Sequence, residues 1–298
     1  AAQLAYFAVM MKARQYDRRI FSRGIQPHVY AITESNDIDA YTRDYFTNND
    51  PQLKAALDSI INDLRDAKEY GSILTVAPVD FAALYARMDE VQNDISLYRE
   101  SALNSILPLI RVAEVMAQHY DVVVTNPPYR GINDVEVKLQ NFVKEKYPSS
   151  CSDLSTVFME KCSYLTKKSG YYSMINIPVW MSLASYADLR AKMLNNENIV
   201  NMLHLGRGMF GSDYGTTAFV ISSRNVDDYK GLYRKFFEKQ GAVEPEETKR
   251  KKFFIGTKDY ITNQSLYSLL PNKIIAYWVT QSFAEAFEAD SNLSLIHI

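Results

Sequence analysis

The sequence has few of the residues that build disulfide frameworks and metal sites. Its 298 residues include two cysteines, Cys151 and Cys162, and four scattered histidines, at positions 28, 119, 204 and 297. None of them has the spacing of a structural metal site or lies beside a serine nucleophile in a recognisable motif. We therefore expect no metal centre, no hydrolytic Ser/His pair and a reduced, cytoplasmic protein.

Long apolar runs and an excess of one charge are also lacking. The apolar runs are too short to span a bilayer, and no basic region followed by an apolar one opens the chain. The net charge is −2, from 33 basic and 35 acidic residues. This balance excludes a uniformly basic nucleic-acid coat, although it leaves room for a local basic cleft. No membrane partner is expected.

Apolar strands alternate with amphipathic helices in much of the chain. "YDVVVT" (120–125) predicts a strand buried on both faces, "DLSTVFMEKCSYLTKK" (153–168) a helix capped by Asp153, and "YYSMINI" (171–177) the next strand. Further short strands are predicted at Val29–Ile32 and in "SILTVAP" (72–78). Such alternation predicts an α/β fold with a mostly parallel sheet, in which ligands bind at the carboxyl ends of the strands.

The alternation is interrupted twice, which predicts the domain organisation. Residues 37–119 are mainly helical in pattern and indicate an insertion between two strands. After residue 225 the charged run "EPEETKRKKFF" predicts a solvated linker, followed by the start of a C-terminal helical or target-recognition region. The catalytic core is therefore expected in residues 1–36 and 120–225, and the linker with its helical region in 226–298.

The turn "TNPPYRG" follows the 120–125 strand and carries the most specific chemistry. Asn126 offers an amide oxygen that accepts a hydrogen bond. Pro128 biases Pro127 towards an extended conformation and so fixes the direction of the Pro127 carbonyl. Tyr129 supplies a ring for stacking. Two fixed acceptors beside a ring suit a planar group that bears an NH₂. Each N–H can donate a hydrogen bond to one acceptor, and the nitrogen then becomes more nucleophilic.

This turn resembles motif IV, (D/N/S)PP(Y/F/W), of the amino-group methyltransferases that use S-adenosylmethionine. The chain as a whole, with "PHVYAITESN", "DLSTVFMEKCSYL" and "AYWVTQSFAEAF", resembles the large adenine-specific DNA methyltransferases of BREX phage-defence systems, the PglX type, and the methylase halves of type IIG restriction enzymes. One departure is "LPNKIIAYW", where that type leads us to expect Gly-Ser-Pro in place of Asn-Lys-Ile.

The resemblance implies roles for individual residues. Asn126 and the Pro127 carbonyl would accept from the N6 amino group of adenine, and Tyr129 would stack on the flipped base. Phe210, in "GRGMFGSDYGTTAF", matches the aromatic residue on the other side of the base, with Tyr214 as the alternative. Both rings could equally be ordinary packing groups.

The resemblance also implies a cofactor, S-adenosylmethionine, in a partial Rossmann-like fold whose family sheet order is 3-2-1-4-5-7-6. Glu34 and Ser35 match the loop that approaches the cofactor's adenine. The Gly-rich loop and the acidic strand end that such a site needs are not found before the turn. We therefore expect an internal fragment that lacks the first two strands and is inactive alone. The 29–32 strand should then be separated from the 120–125 strand or pair with it wrongly.

The resemblance implies double-stranded DNA as substrate and leaves other phage-defence proteins open as partners. Two alternatives remain. A protein glutamine-N5 methyltransferase shares the turn, but such enzymes are compact and lack a long insertion before it. A non-catalytic fragment that binds only DNA or partner proteins is the other.

Overall fold

The computed structural model describes residues 2–210, 214–239, 241–256 and 259–289. The chain divides into two compact units, one ending at Gln118 and the other beginning at His119. We refer to them as the first and second unit. No described helix combines the length and apolarity needed to cross a membrane.

The first unit is helical. Its helices are α1 (Ala2–Tyr16), α2 (Ala40–Thr47), α3 (Pro51–Asp63), α4 (Ala67–Tyr70), α5 (Phe81–Gln92), α6 (Arg99–Ser101) and α7 (Leu107–Ala117), with a π-helical turn at Ala102–Ile106 before α7. Leu57, Ile60, Leu84, Val91 and Ile110 form part of its buried core. The predicted helical character of residues 37–119 agrees with these elements.

Aspartates start three of these helices. Asp39, Asp50 and Asp80 precede α2, α3 and α5, and each side chain accepts hydrogen bonds from backbone amides of the first turn. Such caps satisfy donors that have no partner within a helix. Pro51 at the first position of α3 has no amide hydrogen to satisfy, which suits it to that place. Local sequence therefore fixes where these helices begin.

The short strands predicted in this unit do not form. Residues 29–32 have no regular secondary structure, and "SILTVAP" gives a 3₁₀ turn at Gly71–Ile73 followed by an irregular segment. A short β-rich run becomes a strand only when a neighbouring strand accepts its hydrogen bonds. Both predictions of a strand are wrong. The strand before the turn pairs with one other described strand alone.

The second unit is built on one sheet. Its strands are β1 (Tyr120–Thr125), β2 (Thr166–Asn176), β3 (Asn198–Gly206), β4 (Thr216–Ser222), β5 (Lys230–Lys235) and β6 (Asp259–Asn263). Its helices are α8 (Val137–Lys146), α9 (Leu154–Leu165), α10 (Ala187–Asn196), α11 (Glu246–Ile255), α12 (Ser265–Ser268) and α13 (Gln281–Ala289). Asp153 caps α9 by accepting from the Ser155 amide at 2.8 Å, as predicted.

The order of the described strands is β1-β2-β4-β3-β5-β6. β1 is parallel to β2 and β3 is parallel to β5, whereas β4 and β6 are antiparallel to their neighbours. Four of the six described strands thus run in the same direction. The first four repeat the order 4-5-7-6 of the methyltransferase sheet, so the predicted α/β class with a mostly parallel sheet is confirmed.

The strand before the turn is more exposed than predicted. Val122 and Val124 are 60% and 71% exposed, which contradicts a strand buried on both faces. Among the described strands β1 has a neighbour on one side only, and these two side chains lie on the sheet face opposite Val123, which packs against the core. Apolar character alone did not reveal that β1 is an edge strand.

The sheet also continues beyond residue 225, where a linker was expected. β5 and β6 extend it, and the charged run forms α11 between them. The missed strands are short and carry charged residues at their ends, so the sequence pattern resembles that of loops. The expectation of helical structure near the C-terminus is met by α12 and α13.

A buried arginine joins the segments that cover one face of the sheet. Arg190 of α10 is fully buried and donates to the carbonyls of Trp180 (2.7 Å), Leu183 (2.9 Å) and Asn272 (2.8 and 3.0 Å). Burial lowers the pKa of Arg190 to about 10, so the group remains charged at neutral pH. One side chain therefore holds two irregular segments to α10.

Replacing this arginine should destabilise the second unit. Arg190→Leu leaves three carbonyl groups without their donor, and we expect a loss of about 3 kcal/mol in the free energy of unfolding. Urea titration followed by tryptophan fluorescence measures it, because both tryptophans, Trp180 and Trp278, lie in this unit. Arg224→Leu, at an exposed position of the same unit, is the matched control. Equal effects of the two substitutions would contradict the assignment.

Candidate active site at the carboxyl edge of the sheet

The pairing of β1 with β2 decides where the Asn-Pro-Pro-Tyr turn lies. The parallel register places Thr125, the last residue of β1, opposite Met174. The chain therefore leaves the sheet beside Ile175 and Asn176, at the carboxyl end of β2. Ligands of open α/β sheets bind at this edge, because the loops there are free to diverge around them.

Tyr129 ties the turn to the neighbouring strand. Its hydroxyl lies 2.7 Å from Asn126 Oδ1 and 3.0 Å from the carbonyl oxygen of Ile175. A hydroxyl has a single proton, so it donates fully to one of these oxygens at a time. Partial burial raises the pKa of Tyr129 above its usual value, which keeps the hydroxyl protonated and a donor at neutral pH.

The amide oxygen of Asn126 remains available to a ligand. Asn126 and Pro128 are exposed, whereas Pro127 between them is buried. An amide oxygen has two lone pairs, so Asn126 Oδ1 can accept a second hydrogen bond while Tyr129 occupies one. When the tyrosine donates to Ile175 instead, both lone pairs are free. The geometry thus presents an oriented acceptor at the open edge of the sheet.

The residues after the turn are fixed to the start of α9. The Leu154 amide donates to the Arg130 carbonyl at 2.9 Å, and the Ile132 amide donates to the Ser152 carbonyl at 3.1 Å. The turn is therefore held by a strand before it and by a two-bond bridge after it. This double attachment explains how a short exposed turn keeps one conformation.

The loop between β3 and β4 reaches the same edge. β4 lies between β2 and β3, and its register pairs Thr217 with Asn176 and Thr216 with Gly206. The loop over residues 207–215 therefore starts and ends beside the end of β2. The candidate base-contacting aromatics belong to this loop.

Phe210 and Tyr214 are both accessible there, 61% and 70% exposed. Phe210 has a φ of 55°, in the left-handed region that non-glycine residues rarely adopt and that often marks functional sites. Residues 211–213, between the two rings, lie outside the described residues. The choice between Phe210 and Tyr214 as the base-contacting ring stays a prediction.

The two predicted cofactor contacts lie in the first unit. Glu34 Oε1 accepts from the Lys68 ammonium at 2.8 Å, and the Ser35 hydroxyl donates to the Ile61 carbonyl at 2.6 Å. Ser35 is buried, and its hydroxyl therefore has a structural use at the end of α3. Glu34 keeps a second carboxylate oxygen for a ligand.

These features agree with the comparison to known protein families. A family model described as Eco57I restriction-modification methylase matches residues 1–210, well over half of the chain. The chain belongs to this family. The match includes both the Asn126–Tyr129 turn and Phe210.

Two curated relatives resemble this Eco57I-family chain along nearly its whole length. The adenine-specific methyltransferase BrxX of Escherichia coli O9:H4 (strain HS) is 33% identical over 319 residues, covering 96% of this chain and 26% of the relative. The adenine-specific methyltransferase PglX of Lacticaseibacillus casei (strain Zhang) is 30% identical over 313 residues, covering 98% of this chain and 25% of the relative. The chain therefore spans about a quarter of the length of these relatives.

Solved structures of restriction-modification proteins show a partial likeness. A nuclease-deletion mutant of the Type ISP enzyme LlaGI, solved with a DNA substrate mimic, has a TM-score of 0.41 and 15% identity, covering 63% of this chain and 20% of that one. The methyltransferase subunit of a type I system from Streptococcus thermophilus has a TM-score of 0.36 and 12% identity, covering 51% of this chain and 36% of that one.

Asn176 is a positioning residue that the sequence analysis missed. This buried side chain of the Eco57I-family chain donates to the Ser155 carbonyl at 3.2 Å and accepts from the Ile177 amide at 2.7 Å. The Thr217 hydroxyl donates to the Asn176 carbonyl at 3.1 Å. Asn176 thereby joins the end of β2 to α9 and β4. A polar residue inside the apolar run "YYSMINI" was the available signal.

Lys249 is a second missed group, because the charged run was expected to be solvated. It is 2% exposed and donates to the Arg207 carbonyl, at the start of the loop with Phe210. Burial lowers the pKa of Lys249. Within the same charged run, the Lys252 ammonium pairs with the Glu244 carboxylate at 2.8 Å. The run therefore forms a support for the aromatic loop.

Two glycines let this loop pack closely. Gly206 and Gly208 have φ values of 69° and 81°. A Cβ at Gly206 would lie 2.6 Å from the Phe237 ring, and one at Gly208 would lie 2.8 Å from a Val243 methyl group. Both conformation and space therefore require glycine.

The tyrosine contact predicts the effect of removing one oxygen. Tyr129→Phe keeps the ring but frees the turn from β2, so we expect a loss of about 1 kcal/mol in the free energy of unfolding and faster exchange of the amide hydrogens of residues 129–131. Hydrogen-exchange mass spectrometry measures the second effect. Tyr164→Phe, at an exposed position on α9, is the control. Unchanged exchange in the Tyr129 variant would show that the hydroxyl does not fix the turn.

Proposed function

We propose that this chain forms the catalytic part of a site-specific DNA adenine-N6 methyltransferase. The whole protein transfers a methyl group from S-adenosylmethionine to an adenine that is flipped out of double-stranded DNA, because a stacked base cannot reach such a turn. The observation that carries the proposal is the turn at the end of β1, where the Tyr129 hydroxyl orients the exposed Asn126 amide oxygen.

Each residue of the turn has one role in this proposal. The Asn126 side chain and the Pro127 carbonyl accept from the N6 amino group, and Pro128 keeps the preceding residue extended. The Tyr129 ring stacks on one side of the base and Phe210 contacts the other. S-adenosylmethionine, when bound, supplies an electrophilic methyl group.

The two acceptors explain how an exocyclic amine becomes a nucleophile. They bind both N–H hydrogens, which localises the lone pair on the nitrogen and shifts the group from planar towards tetrahedral. No charged base is required to make the amine more nucleophilic, since the two oxygen acceptors polarise it. The contribution is positioning and polarisation of the amine by oriented oxygen atoms.

The chain supplies only part of a cofactor site. Glu34 and Ser35 are proposed contacts to the cofactor's adenine, yet one Glu34 oxygen and the Ser35 hydroxyl already have partners. Only Gly24 and Gly71 precede the turn, so no Gly-rich phosphate-type loop lies before it in the sequence. The residues present do not by themselves fit S-adenosylmethionine.

Adenine in DNA is favoured over glutamine in a protein as substrate. Two relatives are named adenine-specific methyltransferases, and a helical segment of some 80 residues (40–117) precedes the turn. A non-catalytic fragment that binds DNA or a partner is the remaining alternative. Double-stranded DNA is the proposed partner, other phage-defence proteins are further partners, and the cytoplasm is the compartment where this substrate lies.

Removing the acceptor tests the proposed function directly. Asn126→Ala in the full-length protein carrying this chain should lower adenine-N6 methylation at least ~100-fold, because one of the two polarising groups is lost. Methylation-sensitive sequencing of host DNA measures the change. DNA binding and the unfolding midpoint should stay within about twofold and about 2 °C of the parent, since the side chain is exposed.

Asn133→Ala is the matched control, because Asn133 is an exposed asparagine shortly after the same turn. It should methylate at the rate of the parent protein. An undiminished amount of N6-methyladenine in the Asn126 variant would refute the proposal that this turn methylates adenine. Methylation of glutamine in a peptide by the same protein, with none in DNA, would support the glutamine-N5 alternative.

The incomplete cofactor site gives a second prediction. The isolated 298-residue chain should show no calorimetric heat of binding at about 1 mM S-adenosylmethionine, a concentration at which millimolar affinity is just detectable. It should not methylate DNA. The full-length protein should bind the cofactor under the same conditions. Micromolar binding by the isolated chain would overturn the conclusion that its residues do not complete the site.

A further inference from the structure

A cavity of about 550 Å³ opens at the carboxyl edge of the sheet, apart from the turn. Pro178 follows the end of β2, His204 belongs to β3 and Lys235 is the last residue of β5, and these three strands run in the same direction. Ile275 and Trp278 also line the cavity. The volume lies within the range of sites for small organic ligands.

The cavity lies beside both ends of the aromatic loop. A Cβ at Gly215 would be 3.3 Å from Pro178 Cγ, so that end of the loop packs on the cavity wall. At the other end Gly206 packs on the Phe237 ring, whose centroid lies 4.8 Å from that of His204. The loop that carries Phe210 therefore starts and ends beside this cavity.

One positive charge dominates the cavity. Lys235 Nζ lies 4.8 Å from the centroid of the Phe237 ring and 5.5 Å from that of the Trp278 ring. Among the described residues no carboxylate is within 4 Å of it. Burial, and then the nearby Lys235, lowers the pKa of His204 to about 4, so this histidine is neutral at physiological pH. Within the described part of the chain, the ammonium group contacts two rings and forms no ion pair.

Apart from Ser182 and the neutral His204, the remaining side chains of the wall are apolar or aromatic. Ile275 is buried, and Trp278 is about one-third exposed, which leaves part of its indole surface available for stacking. A cation beside an apolar wall and an accessible indole suits a ligand with a flat apolar body and an anionic group. A nucleotide has both, because bases stack on aromatic rings and phosphates pair with lysine.

We propose that this cavity binds a nucleotide adjacent to the flipped adenine on the same DNA strand, with its base against Trp278 and its phosphate at Lys235. The inference rests on the proposed function, because it assumes that DNA approaches this edge. In this proposal β5 and the segment before α13 bind the DNA strand on one side of the target adenine.

A charge-removal variant of the full-length protein tests the phosphate contact. Lys235→Met keeps the aliphatic stem but removes the charge. We expect KM for DNA to rise about fivefold to tenfold with kcat unchanged, and the slope of log Kobs against log[NaCl] to become shallower by about one. Lys230→Met, at the exposed opposite end of β5, is the control and should leave both quantities unchanged. Lys235→Arg keeps the charge and should retain the parent slope.

Photocrosslinking tests the position of the base. Duplexes with 5-iododeoxyuridine next to the target adenine should crosslink to the peptide that contains Trp278, and duplexes with the label ten base pairs away should not. A full crosslinking yield after Trp278→Leu, or a parent-like salt slope after Lys235→Met, would overturn the proposal. Weaker binding of S-adenosylmethionine by Lys235→Met with an unchanged DNA slope would assign the cavity to the cofactor and also overturn it.

The outcomes separate this inference from the proposed function. If the protein methylates adenine in an Asn126-dependent way, but Lys235→Met does not change the salt slope or Trp278→Leu does not lower the crosslinking yield, the proposed function stands and the nucleotide cavity is refuted. A protein that never methylates adenine loses the function itself. Because the salt slope is measured by binding, it reports on the cavity even in the Asn126→Ala background.

Discussion

The parallel pairing of β1 with β2 is the constraint on which the candidate site depends. It brings Thr125 to Met174, and so the turn leaves the sheet beside the Ile175 carbonyl that Tyr129 can reach. A shift of one residue in this register would move the hydroxyl away from that carbonyl and reverse the faces of β1. The rigidity of two prolines would then fix a turn in the wrong place. Local stiffness and strand register therefore act together, and neither alone orients the Asn126 amide.

The second half of the site follows from an antiparallel strand. Because β4 runs between β2 and β3, the loop over residues 207–215 must return to the edge where the turn lies. Gly206 lets the start of this loop pack on Phe237, and Lys249 binds the Arg207 carbonyl from α11. The aromatic loop is thus supported by residues that follow the first four strands of the sheet. Phe237 lies shortly after β5, and Lys249 lies in α11.

Sequence reasoning succeeded where chemistry is local. The Asn-Pro-Pro-Tyr turn, the Asp153 cap and the alternation of strands and helices depend on neighbouring residues, and all three are found in the structure. It failed where the outcome depends on distant partners. Residues 29–32 are β-rich but lack a pairing strand, and the exposure of Val122 and Val124 follows from the position of β1 at the edge. A lysine in a mixed charge run gives no sign that a carbonyl 42 residues away will bind it.

The distribution of charge links the turn and the cavity. A net charge of −2 gives no general attraction for DNA over the surface of this chain, so the proposed function requires cations placed where the DNA strand would pass. Several surface lysines form ion pairs, as Lys252 does with Glu244, and such pairs cancel their field. Among the described residues Lys235 contacts two aromatic rings and no carboxylate, and the rings orient the ammonium without neutralising it. The Trp278 ring is also a surface on which a nucleobase can stack. The proposed phosphate contact and the proposed base contact therefore lie side by side. In the two proposals taken together, the same edge of the sheet polarises one amine and binds the phosphate next to it, although the chain as a whole is slightly acidic.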